Sequence, residues 1–310
     1  MQEVNHYTTL DQSIIRTLMY YDIFNYPLKS REVFQFLGIG DVTKEEVTAA
    51  LDSLASQQYL YRFGELYSLQ PDEQNVHRRL NGNAEAEKWL PKANKVAAFI
   101  SGFPFVRAVM ASGSLSKDYM DENSDLDFFV VTAPNRLWIS RTLLVLYKRI
   151  FLNNSHKFFC ANYFVDTQHM VIEEQNLFTA TELATVIPLQ GAEYYEQLLK
   201  KNNPWLLRYF PNFVPRQVKE VPAARHGLLK KIMEAMLNIF FGNALERFFM
   251  FTTLRRWKKL YQESYDAADF GIAFKTKKYV SKNHPKNFQK KVMERYQQKL
   301  EAFAKKFDLE

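Results

Sequence analysis

The chain has 310 residues, 47% hydrophobic and 24% charged, the balance of a globular protein with room for two or three domains. Its one cysteine, Cys160, excludes an intramolecular disulfide and a cysteine metal cluster and fits the reducing, cytoplasmic compartment. The net charge of +7 is uneven: −4 over residues 1–70, −3 over 71–199 and +14 over 200–310, so the last third offers either a Lys-rich solvated face or a contact for a polyanion such as RNA, DNA or anionic lipid.

The start, MQEVNHYTTLDQ, lacks the basic residues and apolar run of a signal peptide. Leu10, Ile14, Ile15, Leu18 and Tyr21 then share one face of a helix that residues 24–27 end. A second short helix is expected over 28–37, closed by Gly38 and Gly40. Thr43 stands three residues before Glu46, a capping-box spacing, and Val47, Ala50, Leu51 and Leu54 line the helix it opens. A two-stranded element over 59–69 turns at Gly64. Three helices and a hairpin resemble a winged helix-turn-helix domain over 1–70. Such domains often read DNA with their third helix. Here that helix carries Lys44, Glu45, Glu46 and Asp52 and is net acidic, so phosphates repel it. A protein-contact or packing role is favoured.

Residues 71–104 read as a mostly polar helical connector, with Gly82 and Pro91 as candidate breaks. Residues 105–111 have the apolar character of a buried strand, 115–124 form a polar loop, and 126–131 resume a strand. A helix is expected over 138–152, a third strand over 158–165 with 170–172 pairing beside it, and a helix over 179–186 limited by Pro188. Residues 192–210 are helical, Pro211 and Pro215 mark a boundary, and helices follow at about 226–241, 243–263 and 285–306. The apolar region 228–254 is interrupted by Lys230, Lys231, Glu234, Glu246 and Arg247, which makes it a poor membrane span. Amphipathic helices packed in a core are expected there. Interfacial membrane contact is the alternative, because Arg255, Arg256, Lys258 and Lys259 follow. The histidines at 6, 77, 156, 169, 226 and 284 are scattered, and none forms a zinc spacing with Cys160.

The chemistry concentrates in ASGSLSKDYMDENSDLDFFVV, residues 111–131. Asp125 and Asp127 are two apart at a strand start, so the pleat puts both carboxylates on one face. Converging carboxylates repel unless a cation lies between them. Magnesium suits such a site, because it takes carboxylate oxygens together with substrate phosphates. Gly113 lets the backbone approach a phosphate, and Ser114 offers a hydroxyl. Lys117 and Lys148 are the nearest cations for triphosphate charge.

Gly113-Ser114, ten intervening residues, then Asp125-Leu126-Asp127, set between two apolar strands, resembles the nucleotidyltransferase superfamily typified by DNA polymerase beta. The close resemblance covers about 25 residues, and a looser one extends to about residue 190. It implies an α/β (α+β) nucleotidyltransferase core with a mixed sheet over 105–190, followed by a basic helical region over 191–310. It also implies a nucleoside triphosphate, ATP being the expected one, held against Gly113 and Ser114, with Asp125 and Asp127 binding Mg2+ and acting in catalysis. The family commonly adds a third carboxylate from a later strand. Here Asn162, a candidate metal ligand through its carbonyl but not a strong base, stands near the middle of that strand, and Asp166, in the same alternation class, follows as the candidate third ligand and catalytic residue. The family often has glycine where this loop has Asp118. The expected activity is transfer of a nucleotidyl group to a protein, a small hydroxylated compound or a nucleic-acid end. The alternative is a catalytically weak or inactive binding or scaffold protein of the same fold.

Overall fold

The computed structural model describes residues 8–155, 157–225, 227–239 and 242–306. His6, His156, His226 and the residues expected to continue a helix at 240 and 241 lie outside the described residues. Thr8 opens α1 (Thr9–Asp22) by accepting from the Asp11 amide at 3.1 Å, and Asp11 bonds back to Thr8 at 3.0 Å. β1 (Leu28–Lys29) leads into α2 (Ser30–Gln35). α3 (Lys44–Ser56) starts with the reciprocal Thr43–Glu46 bonds that the spacing predicts. β2 (Tyr61–Phe63) and β3 (Leu66–Ser68) form a hairpin around Gly64, at φ +60, and β1 adds to β3 in a small antiparallel sheet. Val47, Leu51 and Leu54 of α3 pack on Ile14 and Leu18 of α1.

α4 (Glu73–Ile100) is one continuous helix of 28 residues. Neither expected break occurs. Gly82 is instead a contact point: a Cβ there would lie 2.2 Å from the Tyr119 ring, and the Gly82 carbonyl accepts from the Met120 amide at 3.0 Å. Pro91 sits inside the helix.

The rest of the chain builds an α+β unit on one mixed six-stranded sheet. In chain order come β4 (Val106–Ser112), α5 (Gly113–Ser116), β5 (Asp127–Thr132), α6 (Leu137–Phe151), β6 (Cys160–Asp166), α7 (Leu177–Thr185) and β7 (Ile187–Gln190). There follow α8 (Ala192–Tyr209), α9 (Leu228–Ile239), α10 (Gly242–Tyr261), α11 (Ala267–Ala273), β8 (Thr276–Lys277), β9 (Val280–Lys282) and α12 (Phe288–Lys306). The strand order is β7-β4-β5-β6-β9-β8, and β5–β6, linked through α6, is its parallel pair. Pro188 is tolerated because β7 is an edge strand, where a missing N–H breaks no ladder.

Alternation in β5 feeds two cores. Phe128 and Val130 meet Ala97 of α4, Trp138 of α6 and Trp257 of α10. Phe129 and Val131 meet Leu183 of α7 and Leu198 of α8. Elements beyond residue 190 join this sheet and its two cores. α8 covers the sheet, β9 extends it beside β6, and α12 returns to the N-terminal module, where Val292 is buried and Tyr296 lies edge-on to Tyr20. Residues 170–172 form no strand; Met170 and Ile172 are buried in a turn, held by the Asn202 side chain. Among the described residues no helix is long and apolar enough to cross a membrane.

Candidate functional site

β4 and β5 run antiparallel with Ser112 opposite Asp127, so the end of one strand and the start of the next meet at one corner. Gly113 leaves β4 at φ +64, and a Cβ on it would lie 2.4 Å from the Asp127 Oδ2. Glycine is therefore needed twice here, for the left-handed backbone and for the carboxylate resting against it. The short helix that follows closes in a Schellman turn: the Asp118 amide donates to the Leu115 carbonyl at 3.1 Å and the Tyr119 amide to Ser114 at 3.2 Å. Asp118 holds the left-handed position of that turn at φ 54, so the loop keeps a backbone usually given to glycine. The N-terminal module braces the loop, with the Tyr26 hydroxyl donating to the Lys117 carbonyl at 3.0 Å.

The Asp127 carboxylate accepts from the Asn162 side-chain amide at 2.8 Å and from the Cys160 thiol. Burial, reinforced by the charges of Asp125 and Glu182, pushes its pKa from 3.8 to about 7, although the thiol and Lys117 pull the other way. Cys160 lies directly across the parallel ladder from Asp127. Burial, with Asp127 beside it, raises that thiol far above the usual range. Burial lowers the pKa of Lys148, against which Cys160 and Asp125 act. The corner is thus a carboxylate site at which ionisation is unfavourable without added positive charge.

The sequence-selected residues do not all converge. Gly113, Ser114 and Asp127 share the corner, and Asp125, beyond the buried Leu126, is near enough for its charge to act on Asp127, Cys160 and Lys148. Lys148 reaches this group from the C-terminal half of α6. Lys117 folds back: its ammonium donates to the Gly113 carbonyl at 3.0 Å and pairs with Glu182 at 2.7 Å. Asn162 turns its amide nitrogen, rather than its carbonyl, toward Asp127.

Asp166 is a correction. It pairs across from Thr132 while Cys160 pairs across from Asp127, so it lies at the other end of the strand, about 17 Å from the corner at the rise of a β-strand. The alternation argument for it also fails. Ala161 faces Phe128 and Tyr163 faces Phe129, which leaves Asn162 as an extra, bulged residue and moves Asp166 out of its class. Asp166, itself buried, instead organises the turn that follows it, accepting from the amides of Gln168 at 3.0 Å and His169 at 2.9 Å and from the His169 ring at 2.8 Å. Two residues of the corner were not selected from sequence. Glu182 comes from α7, and Cys160 bonds to Asp127 rather than acting only as a small apolar residue. The parallel β5–β6 register is the signal that places Cys160.

Two clefts adjoin the corner. One, about 70 Å³, is lined by Ser112, Asn162, Glu182 and His284, whose buried ring is held neutral with a pKa pushed down to about 3. The other, about 410 Å³, lies between the N-terminal module and the loop and is lined by Arg31, Glu32, Ser116, Lys117, Asp118 and Arg216. Larger clefts of about 520 and 430 Å³ lie away from the corner, between α1 and α12. Among the described residues no group of three or more His, Cys, Asp or Glu side chains stands ready to hold a metal. Compared with protein-family models, curated proteins and solved structures, the chain gives no match.

Proposed function

We propose that the Gly113–Asp127 corner binds the phosphate chain of a nucleoside triphosphate, ATP by preference, together with Mg2+, and that the protein transfers the nucleotidyl group to an acceptor. The observation that carries this reading is Asp127. Its carboxylate rests on a glycine backbone beside Asp125 and is destabilised as an anion by burial and by that neighbour. Such a pair suits a hard divalent cation that takes one or two protein carboxylates and completes its shell with phosphate and water. It fits Mg2+ better than an ion needing an all-protein cage.

Asp125 and Asp127 would hold the metal, which when bound supplies positive charge to the reacting phosphate. Asn162 and Cys160 fix the Asp127 carboxylate in one orientation. Gly113 keeps the backbone free of a side chain where the phosphates pass, and Ser114 offers its hydroxyl. Lys148, on which the charge of Asp125 acts, is the cation proposed to face the phosphates, and Lys117 pairs with Glu182. The cleft between loop and N-terminal module gives room for the acceptor, and Arg31 and Arg216 on its walls suit an anionic one. The N-terminal helices and three-stranded sheet are read as a winged-helix-like module that packs against the loop rather than reading DNA. Its Tyr26–Lys117 bond and acidic α3 support that role.

The test is release of pyrophosphate, with label from α-phosphate-labelled ATP appearing on an acceptor, in the presence of Mg2+. Activity that survives Asp125→Ala with Asp127→Ala would remove the reading. A binding or scaffold protein of the same fold is the second reading. It is favoured by Asn162 standing beside Asp127 where a third carboxylate would serve as base, since an amide cannot accept a proton strongly. Magnesium-dependent triphosphate binding without turnover across an acceptor screen would select it.

A further inference from the structure

α9 is amphipathic in the reverse sense. Lys230, Glu234 and Asn238, spaced four apart, form its polar stripe, and that stripe faces the protein. Lys230 is 4% exposed, and its ammonium donates to the carbonyls of Ser101 at 2.8 Å, Val106 at 2.7 Å and Arg225 at 3.0 Å. Glu234 accepts from the Phe105 amide at 2.6 Å and pairs with Arg107 at 2.9 Å. Asn238 accepts from Arg136 at 2.6 Å. The apolar stripe faces outward: Leu228, Leu229, Ile232, Met236 and Ile239 are 75, 72, 47, 55 and 74% exposed.

A surface helix ordinarily buries that stripe. This one cannot roll over to do so, because rolling would strand Lys230 and Glu234 without partners. Neighbouring helices also carry exposed apolar side chains. Phe248 and Phe251 of α10 are 58 and 60% exposed, and Ile150 and Phe151 of α6 are 62 and 69% exposed. The three helices meet through Leu237, Leu245, Phe249 and Leu143.

The exposed charge on α9 and α10 has one sign. Lys231, Arg247, Arg255, Arg256, Lys258 and Lys259 are exposed on α9 and α10. The two acids of these helices both turn inward: Glu234 is bonded to Arg107, and Glu246 is 3% exposed and caps the amides of Trp138 at 2.7 Å and Ile139 at 3.0 Å. We propose that α9 and α10 seat this protein on the surface of an anionic lipid bilayer. The apolar stripe of α9 enters the boundary between headgroups and acyl chains, and the Lys and Arg side chains engage anionic headgroups. A nucleic acid would satisfy the cations and leave the Leu, Ile and Met stripe in water. A second copy of the chain would cover the stripe and set like charges against each other.

The test is co-sedimentation of the full chain with phosphatidylcholine vesicles with and without phosphatidylserine, at low and high salt. Binding is expected only with phosphatidylserine, and salt weakens it. Ile232→Asp with Met236→Asp reduces it at least about tenfold, and so does Arg255→Glu with Lys258→Glu, since each cation near an anionic surface contributes roughly a fivefold factor. Met236→Trp keeps the helix apolar and gives a second readout, a blue shift of indole emission on adding anionic vesicles. Three results overturn the proposal: equal binding to neutral and anionic vesicles; a dimer by light scattering that Ile232→Asp with Met236→Asp dissociates while vesicles are ignored; or RNA binding, unaffected by the apolar substitutions, with no vesicle binding.

Discussion

Replacing Asp127 by Asn removes the buried anion while keeping the shape and an oxygen that can still accept from Asn162. The pKa of Asp127 is raised from 3.8 to about 7. The folded state therefore holds this proton over a range in which the unfolded chain has released it. The stabilising contribution is complete below about pH 4 and is lost as pH rises through about 7. Each tenfold change in proton affinity is about 1.4 kcal/mol, so full conversion would give roughly 4 kcal/mol. Asp127 keeps partial access to water, and about 2–3 kcal/mol is the working figure. Urea unfolding of the metal-free chain between about pH 4.5 and 8.5 should show the wild type losing that amount relative to Asp127→Asn, a difference from which the opposite contribution of buried His284, common to both proteins, cancels. Asp127→Asn should lack that loss and be more stable than the wild type at the upper end. Excess Mg2+ should restore much of the wild-type loss at high pH and leave the variant unchanged, because a cation favours the ionised carboxylate. Equal pH slopes in the two proteins would refute the claim that a buried carboxylate at this corner is the destabilised group.

Three further outcomes follow from the same geometry. Gly113→Ala should lose about 2 kcal/mol or more in denaturant unfolding, since it places a Cβ 2.4 Å from Asp127 Oδ2 at a left-handed φ; a smaller loss means the corner can relax. Cys160, the one cysteine of the chain, should react with iodoacetamide at neutral pH far more slowly in the folded protein than in urea, and faster in Asp127→Asn than in the wild type, because burial and Asp127 keep the thiol protonated. Asp166→Asn should lower stability by about 1–3 kcal/mol and leave Mg2+-triphosphate affinity alone; a loss of affinity would return Asp166 to the site.

The site was legible where the chemistry is local. Gly113 and Asp127 are separated by one loop between two apolar strands, and a strand-loop-strand unit brings its ends together whatever the rest of the chain does. The Thr43–Glu46 cap was legible for the same reason. What escaped depends on partners far along the chain. The bulge at Asn162 is a feature of the β5–β6 pairing, and a single extra residue reverses the faces of everything after it, which is how Asp166 came to look like a ligand. Glu182 reaches the corner only because α7 packs beneath the sheet. β8 and β9 are two and three residues long in a lysine-rich stretch, too short for alternation to register, so the sheet's far edge was read as helical tail. The periodicity of 228–239 does show two faces. Which one turns inward is settled by Ser101, Val106, Arg107 and Arg136, none of which is near α9 in sequence.

The central claim is that two neighbouring carboxylates and a glycine turn receive a metal-bound triphosphate. Calorimetric titration of the full chain with a non-hydrolysable ATP analogue measures it most directly, with and without Mg2+, for the wild type and for Asp125→Ala with Asp127→Ala. Saturable binding is predicted only with Mg2+, weakened at least about tenfold in the double variant, as loss of a charge-assisted contact worth about 1.4 kcal/mol or more requires. Equal affinity with and without the metal, or equal affinity in both proteins, would contradict it.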